Sequence, residues 1–170
     1  MDLYAQDITT DRLRLRLFQE EDANWIAREI ANPKVHRWLT SVPRPYALSD
    51  AVDYLAVFLN DVGHRVIESN GGRQGVVSIT DGELENPPEL GYWLMEAAWG
   101  NGYMTEAAEA LVCWHQAEFG SPILSGWIKG NTASENVLRK LGFEDDGVKE
   151  THAHFHGGPV QVIRVKRDPT

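Results

Sequence analysis

The sequence predicts a mixed α/β layer fold built around one sheet. Three observations carry this. Residues 12–18, RLRLRLF, alternate apolar and charged side chains with the two-residue period of a half-buried strand. Two hairpin signals follow, Asn70-Gly71-Gly72 between the β-rich runs 64–69 and 73–80, and HGGP (156–159) between 147–155 and 160–167. Helical stretches are interleaved with the short runs in the order β, α, α, β-β-β, α, β, α, β-β, which suits a mostly antiparallel sheet with flanking helices rather than a doubly wound parallel one.

Each element has its own signature. In 12–18, Leu13, Leu15 and Leu17 take one face, and Arg12, Arg14 and Arg16 take the other, where solvated arginines are expected. Residues 20–31, EEDANWIAREIA, place acids in a first helical turn, and Trp25, Ile26, Ala27 and Ile30 supply a buried stripe. Asn32-Pro33 stops this helix, and VHRWL (35–39) with SVPRPYALS (41–49) forms a connector. A second helix is expected over 49–61, capped by Ser49 or Asp50, with Val52, Leu55, Ala56 and Leu59 as its apolar positions. After the first hairpin, 81–88 is a turn-rich loop and ELGYWLM (89–95) a strand. A helix over 103–119 has Met104, Ala108, Leu111, Val112 and Phe119 on its apolar side. A strand at 122–129 and a short helix at 132–141, closed by Gly142, lead into the last hairpin.

The 170 residues suit one domain over 1–170, and 42% hydrophobic with 24% charged residues is an ordinary globular composition. No apolar run approaches the ~20 residues of a membrane span, and no basic segment followed by an apolar core marks a signal peptide. The single cysteine, Cys113, excludes an intramolecular disulfide and fits a reducing cytoplasm. In an apolar helical stretch it reads as a small packed residue, not a nucleophile. The formal net charge of −9 argues against non-specific nucleic-acid binding and mildly favours cationic substrates.

The chemistry concentrates at Trp99-Gly100-Asn101-Gly102, where a strand hands over to a helix. The first N–H groups of a helix lack intrahelical partners and lie at the positive end of its dipole, and glycines allow close approach, so such a junction can seat a pyrophosphate without lysine. It can equally be a plain tight turn. It is not a P-loop, because no Gly-Lys-Ser/Thr follows, nor a full dinucleotide fingerprint, because the third glycine is missing. A second junction, NTASENVLRKLGF (131–143), sets Asn131 and Ser134 one helical turn apart, as caps, as ligand contacts, or as both.

With both junctions in place, the chain resembles the GNAT acetyltransferase superfamily, most of all its Rim-type branch, named for enzymes that acetylate ribosomal protein N-termini. The segments TDRLRLR (10–16), ELGYWL (89–94), WGNGYMTEA (99–107) and NTASENVLRKLGF (131–143) carry the resemblance in order. It implies acetyl-coenzyme A as donor and co-substrate, with no metal. It implies that the strand at 89–95 carries a bulge and splays from the next strand, so that the pantetheine arm pairs with its backbone beside Trp93, Leu94 and Met95. The pyrophosphate would rest on Gly100, Asn101, Gly102, Tyr103 and Met104, and Asn131 and Ser134 would face the pantetheine and the sulfur. Two positions depart from the wider family: Ala97 replaces a Gln or Arg three residues before the first glycine, which points to the Rim-type branch, and Leu138 replaces a tyrosine acid in the late helix.

Transfer of an acetyl group from a thioester to an amine needs a deprotonated amine, a stabilised carbonyl oxygen and a proton for the leaving thiolate. Glu89 is the expected base, directly or through water, with a solvated strand-end role as its alternative. Ser134 is the expected thiol donor, with Tyr92 and Tyr103 as alternatives, and the N–H near Leu94 would polarise the carbonyl. The acceptor is a primary amine: a protein N-terminus, a polyamine or another small molecule. It would meet the loops 35–48 and 152–159, where exposed aromatic residues would also support a homodimer. In those loops His36, Arg37 and Trp38 could select the substrate, while His152, His154 and His156 read as metal ligands, acceptor lining or hairpin surface. The competing expectation is a non-catalytic acyl-coenzyme A sensor on the same fold.

Overall fold

A computed structural model of the chain describes residues 6–82 and 86–169, so the loop expected at 81–88 is described except at 83–85. The described strands form one eight-stranded sheet: β1 (Ile8–Thr9), β2 (Arg14–Arg16), β3 (His64–Ser69), β4 (Gly72–Thr80), β5 (Glu89–Leu94), β6 (Ile123–Ile128), β7 (Glu144–Ala153) and β8 (Gly158–Arg167), in the order β1-β2-β3-β4-β5-β6-β8-β7. All neighbours are antiparallel except β5 and β6. The helices are α1 (Asp22–Ala31), α2 (Pro33–His36), α3 (Leu48–Phe58), α4 (Tyr103–Phe119) and α5 (Thr132–Lys140).

The strand period of two divides the core between the faces of the sheet. Leu15, Ile67, Val77 and Leu90 pack with Leu111 and Val112 of α4 and Leu138 of α5. Their neighbours Val66 and Val76 face the opposite way, onto Trp25, Ile26 and Ile30 of α1 and Leu55 of α3. Trp93 joins this second cluster and stacks on Trp25 with ring centroids 5.2 Å apart.

Several expectations change here. Pro33 ends one helix and starts another: Asn32 accepts from the Lys34 N–H at 3.0 Å and opens α2, where the sequence suggested only a connector. The second helix starts after Ala47, whose N–H donates to Asp50 at 2.7 Å, so Asp50 caps from inside the first turn. Ala51 and Leu55 are its buried residues, while Val52 and Ala56 face solvent. Phe119 and Cys113 on α4 are exposed as well, so the cysteine is not a packed residue.

Arg16 is the largest departure. It is 4% exposed instead of solvated, and it makes a bidentate pair with the fully buried Asp22 at 2.8 and 2.9 Å. Glu68 accepts from Arg16 Nε at 2.7 Å, and Arg73 donates to Asp22 at 2.6 Å. Burial alone would raise the Asp22 carboxyl, but the hydrogen bonds from Arg16, the Gln19 N–H and Arg73 outweigh it and hold it below the usual carboxylate range. The network ties β2, β3 and β4 to the start of α1. Removing one partner of such a pair strands a buried charge, so Asp22→Asn should cost about 3–5 kcal/mol in urea unfolding. A folded-state pKa below the unfolded value stabilises the fold fully above the unfolded pKa and is lost as pH falls through the folded one. The native protein should therefore lose thermal stability on acidification below about pH 4, and Asp22→Asn should flatten that loss.

Candidate active site

Strands β5 and β6 meet at a single ladder pair, Glu89↔Leu124, and then diverge. At the closed end the Leu124 N–H donates to Pro88 O at 2.8 Å and Ser125 Oγ to Leu90 O at 2.9 Å. On its other side β5 keeps an unbroken register with β4 from Thr80↔Glu89 to Gly75↔Leu94. The strand therefore carries no bulge. The sheet's register shifts lie elsewhere, between Ile67 and Glu68 of β3 and between Asp145 and Val148 of β7, and the opening comes from divergence alone.

Backbone groups along a strand alternate in direction. The Met95 N–H donates to Gln74 O at 2.9 Å, so Gly91, Trp93 and Met95 direct their backbone groups at β4. Leu90, Tyr92 and Leu94 direct theirs at the gap. The Leu94 carbonyl there accepts from the Trp99 indole at 3.0 Å. The Tyr92 N–H and C=O and the Leu94 N–H are left facing the opening.

The turn beyond β5 completes the cavity. Gly100 and Gly102 take φ of 77° and 75°, a left-handed backbone that side chains rarely tolerate. Gly102 stands at the N-cap of α4 without a side-chain cap, and the first intrahelical bond is Glu106 N–H to Gly102 O at 3.2 Å. The N–H groups of Tyr103, Met104 and Thr105 are thus unused by the helix, at the positive end of its dipole. Asn101 braces the turn, its amide donating to Ala98 O at 3.1 Å and Trp99 O at 3.2 Å. Arg12 donates to Asn101 O at 2.9 Å and to Glu106 at 2.7 Å, and Thr10 donates to Glu106 at 2.6 Å. The first strand segment therefore fixes the turn. Nothing in the sequence linked Glu106 to Arg12.

Helix α5 forms the facing wall. Asn131 is its N-cap, with Oδ1 accepting from the Ser134 N–H at 3.2 Å. Ser134 Oγ lies 2.9 Å from Tyr92 Oη, and burial pushes the Tyr92 phenol up to about 12. Two hydroxyls proposed as alternatives from sequence thus form one pair. Tyr103 points elsewhere, accepting from Ser69 at 3.4 Å beneath the Arg12 guanidinium.

These groups line one cavity of about 380 Å³. Trp93, Leu94, Gly100, Gly102, Tyr103, Met104, Asn131 and Ser134 border it; Met95, Asn101 and Glu89 do not. Glu89 is half exposed and accepts from Arg164 at 2.7 Å, on the face shared with Gly91 and Trp93. Lys140 and Trp127 also line the cavity, although the sequence did not single them out. His152 and His154 pack their rings 5.3 Å apart on the hairpin, and His156 bonds Arg37 O at 2.9 Å. No group of three or more His, Cys, Asp or Glu among the described residues is placed to hold a metal ion. No helix among them is long and apolar enough to cross a membrane.

Comparison with known proteins agrees with this geometry. The family described as acetyltransferase (GNAT) domain matches residues 12–144. The Bacillus subtilis (strain 168) protein named uncharacterized N-acetyltransferase YoaA is 27% identical over 165 residues, covering 91% of this chain and 92% of that one. A GNAT-family acetyltransferase from Bacillus anthracis superposes with a TM-score of 0.84 at 17% identity, covering 96% of this chain and 99% of that one. RimL, a ribosomal L7/L12 α-N-protein acetyltransferase solved with coenzyme A, superposes with a TM-score of 0.81 at 20% identity, covering 96% and 98%. With a diverging strand pair, an uncapped helix start and a family match over most of its length, this chain belongs to the GNAT acetyltransferase family.

Proposed function

We propose that the chain transfers an acetyl group from acetyl-coenzyme A to a primary amine by direct attack, in a reducing cytoplasm and without a metal. The observation that carries this reading is the juxtaposition, in one cavity, of unpaired β5 backbone and an uncapped helix N-terminus. One accepts an extended amide-bearing arm and the other a pyrophosphate. The donor supplies its acetyl group as an activated thioester. The N–H groups of Gly100 to Thr105 hold the phosphates, and Tyr92 holds the arm through its backbone N–H and C=O. The Leu94 N–H stabilises charge on the acetyl oxygen. Glu89 receives the amine proton through water, since it stands outside the cavity but on the acceptor-side face. Nitrogen bonds to the acetyl carbon, the carbon–sulfur bond breaks, and the Ser134–Tyr92 pair delivers a proton to the leaving sulfur. The acceptor is a protein N-terminus, a polyamine or another small amine.

Calorimetry with coenzyme A tests the seat. Gly100→Val and Gly102→Val should each cost about 1–3 kcal/mol of stability from the left-handed backbone, and should weaken coenzyme A binding more than tenfold. Stability losses without a binding loss would leave a plain turn.

The donor pair predicts that Tyr92→Phe lowers kcat by about 10²-fold, with little change in the KM for acetyl-coenzyme A, and that Ser134→Ala is milder because Tyr92 remains. Unchanged kcat in both variants would mean that the thiolate leaves unaided. Glu89→Gln should likewise lower kcat by about 10²-fold at unchanged coenzyme A affinity, most strongly at low pH where the amine is protonated. A wild-type rate would remove Glu89 from the proton path.

A further inference from the structure

Helix α5 lines the cavity with one face, since Ala133, Asn136, Val137 and Lys140 follow one another at helical spacing. Lys140 is the one charged side chain in the described lining, and no carboxylate accompanies it there. It stands beyond Ser134 by about 9 Å along the helix axis, away from the sulfur end. Lys140 is exposed and makes no hydrogen bond or ion pair with any described residue. Other cations nearby are committed. Arg139 donates to Asp145 at 2.6 Å and covers the Trp127 ring at 5.3 Å, Lys166 pairs with Asp168 at 2.8 Å, and Arg12 pairs with Glu106 at 2.7 Å.

A second cavity, of about 430 Å³, adjoins the first at Lys140, which lines both. Besides the Lys166–Asp168 pair, its wall carries Glu109 and Glu144 against Arg167. Neither glutamate pairs with Lys140. Two carboxylates repel an anion from that space, so an anion drawn by the Lys140 ammonium stops where the cavities meet.

The donor proposed above carries phosphate in two places. The N–H groups of the glycine turn and the first turn of α4 suit its pyrophosphate. They offer nothing to the phosphate on the ribose 3′ oxygen, and Ala97 adds no polar side chain to the turn. A net charge of −9 also opposes a polyanionic donor at long range, so a local cation matters more. We propose that Lys140 is a donor-selecting residue, whose ammonium pairs with the ribose 3′-phosphate and so distinguishes coenzyme A from its 3′-dephospho form. This rests on the acetyl-coenzyme A reading above. A phosphate monoester is close to dianionic at neutral pH and accepts charge-assisted hydrogen bonds. A lysine answers it as a compact charge on a flexible stem. Both partners stay in contact with water, which limits the pair to the strength of an exposed ion pair.

Calorimetry of coenzyme A and dephospho-coenzyme A, on the wild type and three Lys140 variants, tests this. At low ionic strength the wild type should bind coenzyme A about fivefold more tightly than the dephospho form. The difference should close in about 1 M sodium chloride, where charges are screened within about 3 Å. Lys140→Met should abolish the preference by weakening coenzyme A alone, with dephospho-coenzyme A affinity held within about twofold. Lys140→Arg should keep most of the preference, and Lys140→Glu should invert it. Retained dephospho-coenzyme A binding also shows that each variant is folded. Equal wild-type affinity for the two ligands would overturn the proposal. So would an equal loss on both in Lys140→Met, which would mark a pyrophosphate contact or a structural role. Failure of the wild type to bind either ligand would instead overturn the donor reading beneath it.

Discussion

The divergence of β5 from β6 is the constraint on which the rest of this structure depends. Two antiparallel blocks, β1 to β5 and β6-β8-β7, are complete in themselves and touch through one parallel pair. Beyond it, β5 keeps an edge in the middle of the sheet. A backbone group left unpaired away from water costs about 1–3 kcal/mol, so an edge of this kind persists only where solvent or a ligand reaches it. The opening shows both features: it is continuous with a cavity, and the one carbonyl at its outer end, Leu94 O, is satisfied by the Trp99 indole.

An open seam inside a sheet needs support from outside the ladder, and the arginines of the first strand segment provide it. Arg12 reaches across to Asn101 O and Glu106, holding the turn where two residues adopt left-handed backbone. Arg16, with Asp22, Glu68 and Arg73, ties the α1 face to three strands. One short alternating run thus anchors the helix on one side of the sheet and the glycine turn before α4 on the other. Its leucines alone would explain burial, but not why the charged positions should point where they do.

What was legible in the sequence follows from this division. Element order, hairpins, the glycine turn, the Asn131 cap and the family were readable, because local period and turn chemistry determine them. The burial of Arg16 was not, because its partner Asp22 lies on another element and an alternating strand reads the same whether its polar face meets water or a salt bridge. The α3 face was misjudged because apolar residues occur on two sides of that helix, and only the positions of β3 and β4 decide that Ala51 and Leu55 go inward while Val52 does not. The clasp between the connector and the hairpin tip joins residues more than a hundred positions apart through backbone carbonyls, which leave no mark on residue type.

The late-helix position shows how a missing residue is resolved by packing. Leu138 stands where many relatives of this fold would carry a tyrosine acid. It is fully buried, within the cluster that α4 and α5 share with the sheet. A phenol there would have to leave that core to reach the cavity. A cavity-lining hydroxyl is present on β5 instead, that of Tyr92, which meets Ser134 from the opposite wall at 2.9 Å. Strand alternation places Tyr92 on the α5 side of the sheet and its backbone in the gap. In the proposed reaction this one residue borders the arm and holds a proton beside the sulfur end. Without a hydroxyl at 134, the buried Tyr92 phenol would keep only its longer bond to the Ser134 carbonyl at 3.3 Å. The two positions are coupled through the Ser134 hydroxyl and its backbone carbonyl together.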